Sequence, residues 1–280
     1  MLILWNMYLA FNVTLLKIHY LGRRFVCHMV KGGRSIVQEQ LVFSREEKEK
    51  LEQLRLTFGG KGEHTAQQLL DSEQLKALLE RLVSEGHFPS VIVAGSQFMK
   101  RYGFMTLAPI LYAFTMWDKP ILAGPDELEI AMNTQAAVMQ VTIPNSLKSS
   151  EKERADIRAE LANKLINENL APFVETMVKA TKLSAAILWE NAAIYLFWVY
   201  ETLIPSEGNA EQVSRAKEDF HYLLKEFNCT SFTCGANPFM PYYSEKVERD
   251  DGPIRFRRTC CLYDQISEGG ACCKTCPKAR

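Results

Sequence analysis

SVIVAGSQFMKRYGFMTLAPILYAFTMW, residues 90–117, is a long apolar stretch whose only charges are Lys100 and Arg101. It reads as a helix, with a kink or break predicted at Pro109. A second stretch, LSAAILWENAAIYLFWVYETLI at residues 183–204, is apolar nearly all round and predicts a central, buried helix. On the N-terminal side, SREEKEKLEQLRL (44–56) opens with Ser44 and Glu47 in capping-box spacing and continues as an amphipathic helix. FGGKGEH (58–64) is a loop, and AQQLLDSEQLKALLERLV (66–83) repeats apolar residues at helical spacing, ending at Gly86. On the C-terminal side, the turn-rich DKPILAGPDE (118–127) leads into LEIAM and AVMQVTI, which read as a β-hairpin joined by residues 133–136. Ser150 and Glu153 form a second capping-box pair, expected to open a helix over residues 153–181 that Pro172 bends or divides. Asn209 and Gln212 start a last amphipathic helix through His221 to Phe227. From Cys229 onward the helical period vanishes and Pro, Gly and Tyr punctuate the chain.

The fold class expected is therefore α+β: a predominantly helical body with a small antiparallel β-sheet and an irregular, cysteine-rich C-terminal segment. Three regions follow, namely an N-terminal extension (1–40), the body (41–228, with the hairpin near 128–143) and the segment carrying the chemistry (229–280). The full chain has 280 residues, 47% hydrophobic and 24% charged, which is ordinary for a globular chain with a proper core. Its 33 basic residues balance its 33 acidic ones, which argues against a generic nucleic-acid coat or an acidic solvating tail. A mean hydropathy of −0.13 argues against a polytopic membrane protein. The apolar opening, MLILWNMYLAFNVTLL, is followed rather than preceded by its bases Lys17, Arg23 and Arg24, the reverse of a signal peptide. It falls short of the usual spanning length, so peripheral membrane association is the most expected of it. Residues 1–28 are expected to carry no chemistry, and Met29 offers an alternative start.

Eight cysteines are distributed unevenly: Cys27, Cys229 and Cys234 are scattered, whereas Cys260, Cys261, Cys272, Cys273 and Cys276 crowd the last stretch. A secreted disulfide scaffold spreads its bridges through a small fold lacking its own core. A large core beside a terminal thiol cluster points instead to a metal or cluster site. Cys273 and Cys276 form a C-x-x-C element, Gly269 and Gly270 let the preceding loop turn back, and Pro277 stiffens the exit. Three readings are open. Structural zinc favours C-x-x-C at both ends, and adjacent side chains such as Cys260 and Cys261 point to opposite faces of extended backbone. A two-iron cluster offers ligand positions on more than one metal and accommodates such a pair more readily. Disulfide or redox switching is the third.

The tail CCLYDQISEGGACCKTCP resembles the C-terminal signature of the FhuF-like ferric-siderophore reductases: a vicinal cysteine pair, a short loop and C-x-x-C-P. VIVAGSQFMKRYGFMTLAPILYAFTMW resembles that family's central helical motif, and LWENAAIYLFWVYE its Trp-x-Asn helix, so the likeness runs from about residue 88 to 277. The resemblance implies a [2Fe-2S] cluster held by four cysteines. The family's ten-residue loop would end here at Cys272, but C-x-x-C-P and the glycine pair point to Cys273. The expected ligands are Cys260, Cys261, Cys273 and Cys276, with Cys272 a spare thiol or substitute ligand.

What the resemblance implies for function is one-electron reduction of a ferric siderophore, of hydroxamate or citrate type, in the cytoplasm. For a one-electron couple each tenfold preference for ferric over ferrous iron lowers the potential by about 59 mV. An all-thiolate cluster at roughly −400 mV meets that need, and none of the five histidines lies among the terminal cysteines. No flavin or nicotinamide site is visible, and GGKG near Gly59 lacks phosphate-loop spacing. Electrons are therefore expected from a ferredoxin, a flavodoxin or a separate reductase. From Gly252 onward six bases (Arg255, Arg257, Arg258, Lys274, Lys278, Arg280) face two acids, Asp264 and Glu268. Such a patch attracts an anionic chelate or offsets the charge of the cluster itself. Lys100 and Arg101 are candidate substrate contacts or a solvated helix face. Trp189 and Asn191 are expected to be a core ring and a satisfied buried amide, and Cys229 and Cys234 two ordinary thiols. The alternatives are a zinc-containing interaction module and a thiol-based redox or iron sensor.

Overall fold

A computed structural model of the chain describes residues 16–21, 24–29, 40–133, 138–250 and 252–279. The apolar opening, up to residue 15, lies outside the described residues. Residues 1–39 and 40–280 form separate compact units. In the first, β1 (Leu16–Leu21) pairs antiparallel with β2 (Arg24–Met29), Leu16 opposite Met29.

The second unit begins with α1 (Arg45–Gln53), which carries the expected capping box between Ser44 and Glu47. The helix stops short of residue 56 because Arg55 turns left-handed, at φ 69°. The chain then enters β3 (Leu56–Phe58), and β4 (His64–Thr65) follows the glycine loop. Asp71 caps α2 (Ser72–Ser84), accepting the N–H groups of Glu73 and Gln74, so this helix starts later than its apolar pattern. Capped by Ser90, α3 (Val91–Trp117) runs unbroken through Pro109 to a left-handed Asp118. Burial on every side of Pro109 outweighs the cost of about 3 kcal/mol that an interior proline imposes.

The expected hairpin is present as β5 (Glu129–Asn133) and β6 (Val138–Ile143), in register from Glu129 opposite Thr142 to Asn133 opposite Val138. The sheet order is β3-β6-β5-β4, with β3 parallel to β6. The sheet is thus mixed. The long helical excursion between β3 and β6 is the kind of connection a parallel pair requires.

Next come α4 (Arg154–Ala162), α5 (Ala171–Thr181), α6 (Ala185–Trp198), α7 (Ile204–Glu207) and α8 (Ala210–His221). The predicted Ser150–Glu153 box does not form. Glu153 itself caps α4 without a side-chain bond, and Ser150 accepts from Lys152 N–H instead. Widened π turns at Asn163–Leu170 and Val199–Leu203 each run up to a proline, Pro172 and Pro205. A wider turn relieves the clash of a proline ring with the carbonyl one turn back, so Pro172 divides the helical run without ending it.

The core is centred on α3 and α6. Phe98, Tyr102 and Phe173 stack, with Tyr102 and Phe173 centroids 4.2 Å apart. Where the two helices cross, a Cβ on Gly103 would lie 2.9 Å from Ala192 Cα, so the missing side chain sets the approach. Beyond α8, Cys229 and Cys234 are joined as a disulfide, contrary to the expectation of two ordinary thiols. The turn closed by Cys234 N–H to Ser231 O holds their Cα atoms 6.2 Å apart, within bridging range. Among the described residues no helix is long and apolar enough to cross a membrane.

Candidate metal centre

The polar residues inside the two apolar helices locate the site. On α3, Ser96 Oγ and Gln97 Nε2 donate to the carbonyl of Cys261 at 2.8 and 2.6 Å. On α6, Asn191 Nδ2 donates to Ser96 O and Oγ at 2.9 and 3.1 Å, while its Oδ1 accepts from Arg257 Nη2 at 2.6 Å. The neighbouring Glu190 accepts from Arg258 N–H and Thr259 N–H, both at 2.7 Å, and from the Thr259 hydroxyl. Ser96, Asn191, Glu190 and Arg257 are all buried. Buried polar groups persist where they are paired, and these pair with the backbone that leads into Cys260 and Cys261. Two core helices therefore grip the first cysteine arm. The Arg257 N–H donates to Thr275 O at 2.9 Å, which laces this arm to the second.

Within the second arm, Cys276 N–H donates to Cys273 O at 2.9 Å, closing the C-x-x-C turn. In the first, Leu262 adopts a left-handed conformation (φ 60°). This turns its N–H to Cys260 Sγ at 3.4 Å and the Tyr263 N–H to the Cys261 sulfur. Cys261 and Cys276 are buried, Cys260 and Cys273 half-buried and Cys272 exposed. The thiols meet as Cys261 with Cys273 and Cys272 with Cys276, while Cys260 points to Asp264 Oδ1 at 3.7 Å. A hydrogen bond from Cys273 lowers Cys261 to about 5, helped by Lys100 and Arg257; the same bond pushes Cys273 up. Burial pushes the Cys260 thiol up, and the bond to Cys276 raises Cys272.

Of the candidate bases, Lys100 lies over the Tyr263 ring at 5.3 Å and acts on both Cys261 and Cys273, so it belongs to the site. Arg101 lies over the Phe88 ring and beside Tyr195, whose hydroxyl also feels the Cys261 and Cys273 thiols. Arg255 is held by Glu201 at 2.7 and 2.8 Å, and Arg258 is exposed and takes part through its backbone. Lys274 lies at the edge of a cleft, and Lys278 pairs with Asp264 at 2.6 Å. The basic patch thus serves several separate contacts. Trp189 is buried against Phe239, as expected of a core ring. Asn191 is a satisfied amide whose partners belong to the site. Glu190, Ser96 and Gln97 escaped the sequence reading, although a carboxylate and amides inside otherwise apolar helices were the available signal.

The donor set fits an iron–sulfur cluster. The two laced arms bring five thiols together, Cys261 against Cys273 across the arms and Cys272 against Cys276 within the second, and a [2Fe-2S] cluster takes four cysteine thiolates. The buried Arg257 also keeps two N–H groups, Nε and Nη1, without hydrogen-bond partners. Such groups suit an incoming anionic group, because a buried donor left unpaired costs roughly 1–3 kcal/mol.

A helical body gripping a C-terminal thiol segment, with cations behind the sulfurs, defines an iron–sulfur protein. Residues 96–250 match the family described as "Ferric iron reductase FhuF-like transporter", and residues 257–278 match the "FhuF 2Fe-2S C-terminal domain". The chain belongs to the FhuF-like family, as its cysteine signature suggested, and its cofactor is a [2Fe-2S] cluster. No curated protein matches the chain. An iron–sulfur role of the ferric-siderophore reductase type goes with this family.

Proposed function

We propose that the protein reduces the ferric iron of a siderophore by one electron and so releases it as ferrous iron. The observation that carries this reading is the lacing of the two cysteine arms to each other and to the core, with Lys100 and Arg257 beside the Cys261 thiolate. When bound, the cluster supplies single electrons at low potential. Cys260, Cys261, Cys273 and Cys276 hold it, and Cys272 is a spare thiol. Leu262 and Tyr263 N–H groups hydrogen-bond the sulfurs, and the two cations stabilise negative charge there. The substrate's ferric ion gains one electron, and an external donor of ferredoxin, flavodoxin or reductase type loses one. The ferrous ion then leaves, because hard oxygen donors hold it far more weakly. A cytoplasmic setting supplies such donors.

The test is anaerobic purification followed by mixing the dithionite-reduced protein with several ferric siderophores. Reoxidation by some of them, with ferrous iron released in equal amount, is expected; no reoxidation by any would overturn the reading. Serine at Cys260, Cys261, Cys273 or Cys276 should lower bound iron and sulfide, whereas Cys272→Ser should not. Loss of cluster in Cys272→Ser with retention in Cys260→Ser would reassign the fourth ligand. The exposure of Cys272 beside Cys276 favours a second reading, a thiol-based sensor. That reading requires Cys272→Ser to abolish an oxidant response without altering siderophore reduction.

A further inference from the structure

A cleft of about 460 Å³ opens beside the second cysteine arm. This lies within the range of roughly 300–1,000 Å³ typical of small-molecule sites. One wall is the face of α6 and the π turn after it, where Ile194, Phe197 and Trp198 recur at helical spacing. Ile254 and Phe256, from the strand-like approach to Cys260, line the cleft as well. Its edge includes Lys274 and Thr275, the two residues between Cys273 and Cys276. Anything seated there lies against the C-x-x-C turn itself.

The charges of the lining are asymmetric. Lys246, Arg255, Arg257 and Lys274 face two carboxylates, Glu190 and Glu201. Both carboxylates are engaged, Glu201 by two of these same cations, and four cations against two carboxylates leave the lining an excess of two positive charges. Glu190 accepts from Arg258 N–H, Thr259 N–H and the Thr259 hydroxyl. Glu201 takes Arg255 on both oxygens, Lys246 at 3.0 Å and the Tyr243 hydroxyl. An apolar trough with a cationic edge suits a ligand with an apolar arm and net negative charge.

We infer that this cleft is the docking site for the ferric chelate, and that its lining selects anionic, carboxylate-bearing chelates over neutral trihydroxamates. The inference rests on the reductase reading for the identity of its ligand, but docking is separable from electron transfer. Gallium(III) has the charge of ferric iron and is not reduced under these conditions, so its complexes report binding alone.

The experiment is calorimetric titration of the anaerobically purified holoprotein with two probes. One is the gallium(III) complex of a citrate-centred dihydroxamate, which is anionic; the other is that of a cyclic trihydroxamate, which is neutral. The anionic probe should bind at least about tenfold more tightly, and added salt should narrow the gap. Ile194→Trp, which fills the trough, should weaken binding of the anionic probe about tenfold or more. Lys246→Glu, at an exposed position, should weaken it several-fold, and both variants should keep their iron and sulfide. Equal affinity for the two probes, or undiminished binding in both cluster-replete variants, would overturn the inference. If the gallium complex binds as expected but its ferric counterpart never reoxidises the reduced protein, the docking site stands and the reductase reading falls. If Ile194→Trp is reoxidised as fast as the unaltered protein, the reductase reading stands and the docking site falls.

Discussion

At Arg257 a single guanidinium meets three demands. It donates to Asn191, lies 3.7 Å from Glu190 and acts on the Cys261 thiolate, while only 1% of its side chain is exposed. Glu190 in turn holds the backbone of Arg258 and Thr259, so it fixes the arm as well as balancing the cation. Removing one partner of a buried pair leaves an uncompensated charge and typically costs 3–5 kcal/mol. Glu190→Ala should therefore lower unfolding free energy by about 3 kcal/mol in denaturant titration of the holoprotein. A loss below about 1 kcal/mol would mean that the pair is solvated after all. Arg257→Gln keeps the approximate length but removes the cation beside the sulfurs. Its cluster should become harder to reduce, with a midpoint potential lower by something on the order of tens of millivolts in a redox titration. An unchanged potential would place the guanidinium outside the electrostatic reach of the cluster.

At the scale of elements, the crossing of α3 and α6 decides whether Ser96 and Gln97 stand opposite Glu190 and Asn191. Gly103 permits that approach, and overpacking a close contact typically costs 1–3 kcal/mol. Gly103→Val should destabilise the protein by about that amount and reduce cluster occupancy as well, measured as iron and sulfide per chain. Full occupancy alongside lost stability would uncouple the crossing from the site. The two helices were legible in the sequence because their apolar runs are long, and the hairpin because its branched residues alternate. β3 and β4 were not legible: segments of three and two residues carry no period, and their partners, β6 and β5, lie far along the chain. The cysteine signature named the metal centre, since thiol spacing is a local property. What fastens that centre was hidden, because Glu190 reaches residues 258 and 259 across 68 and 69 positions of chain. For the same reason the place of Lys100, over the Tyr263 ring and beside the Cys261 sulfur, was not legible.

Taken as a whole molecule, the core is built without the terminal thiols. The stacked Phe98, Tyr102 and Phe173, with Trp189 and the aliphatic faces of α2, α3, α5 and α6, are buried by one another. The C-terminal segment is then fastened to this body at Glu190, Asn191 and Glu201. Burial alone would push the Glu201 carboxyl up, but bonds from Arg255, Lys246 and Tyr243 outweigh it and hold the group below its ordinary value. A carboxylate whose folded pKa lies below its unfolded one stabilises the fold above the unfolded value, about 4.3. That contribution is lost as pH falls through the folded value, so Glu201→Gln should flatten the acid limb of the stability profile below about pH 4.5 and barely alter its slope near neutrality. Removal of the cluster follows the same logic of attachment. In small zinc-dependent domains metal binding is the folding free energy, and stripping the ion unfolds the chain. Here the metal centre sits on a finished core, so stripping iron anaerobically with a chelator should leave the far-UV helical signal intact. Amide exchange should accelerate over residues 257–278 and little elsewhere, because only the fastening bonds then hold that segment. Collapse of the helical signal, or faster exchange throughout α3 and α6, would show instead that the cluster holds the body together.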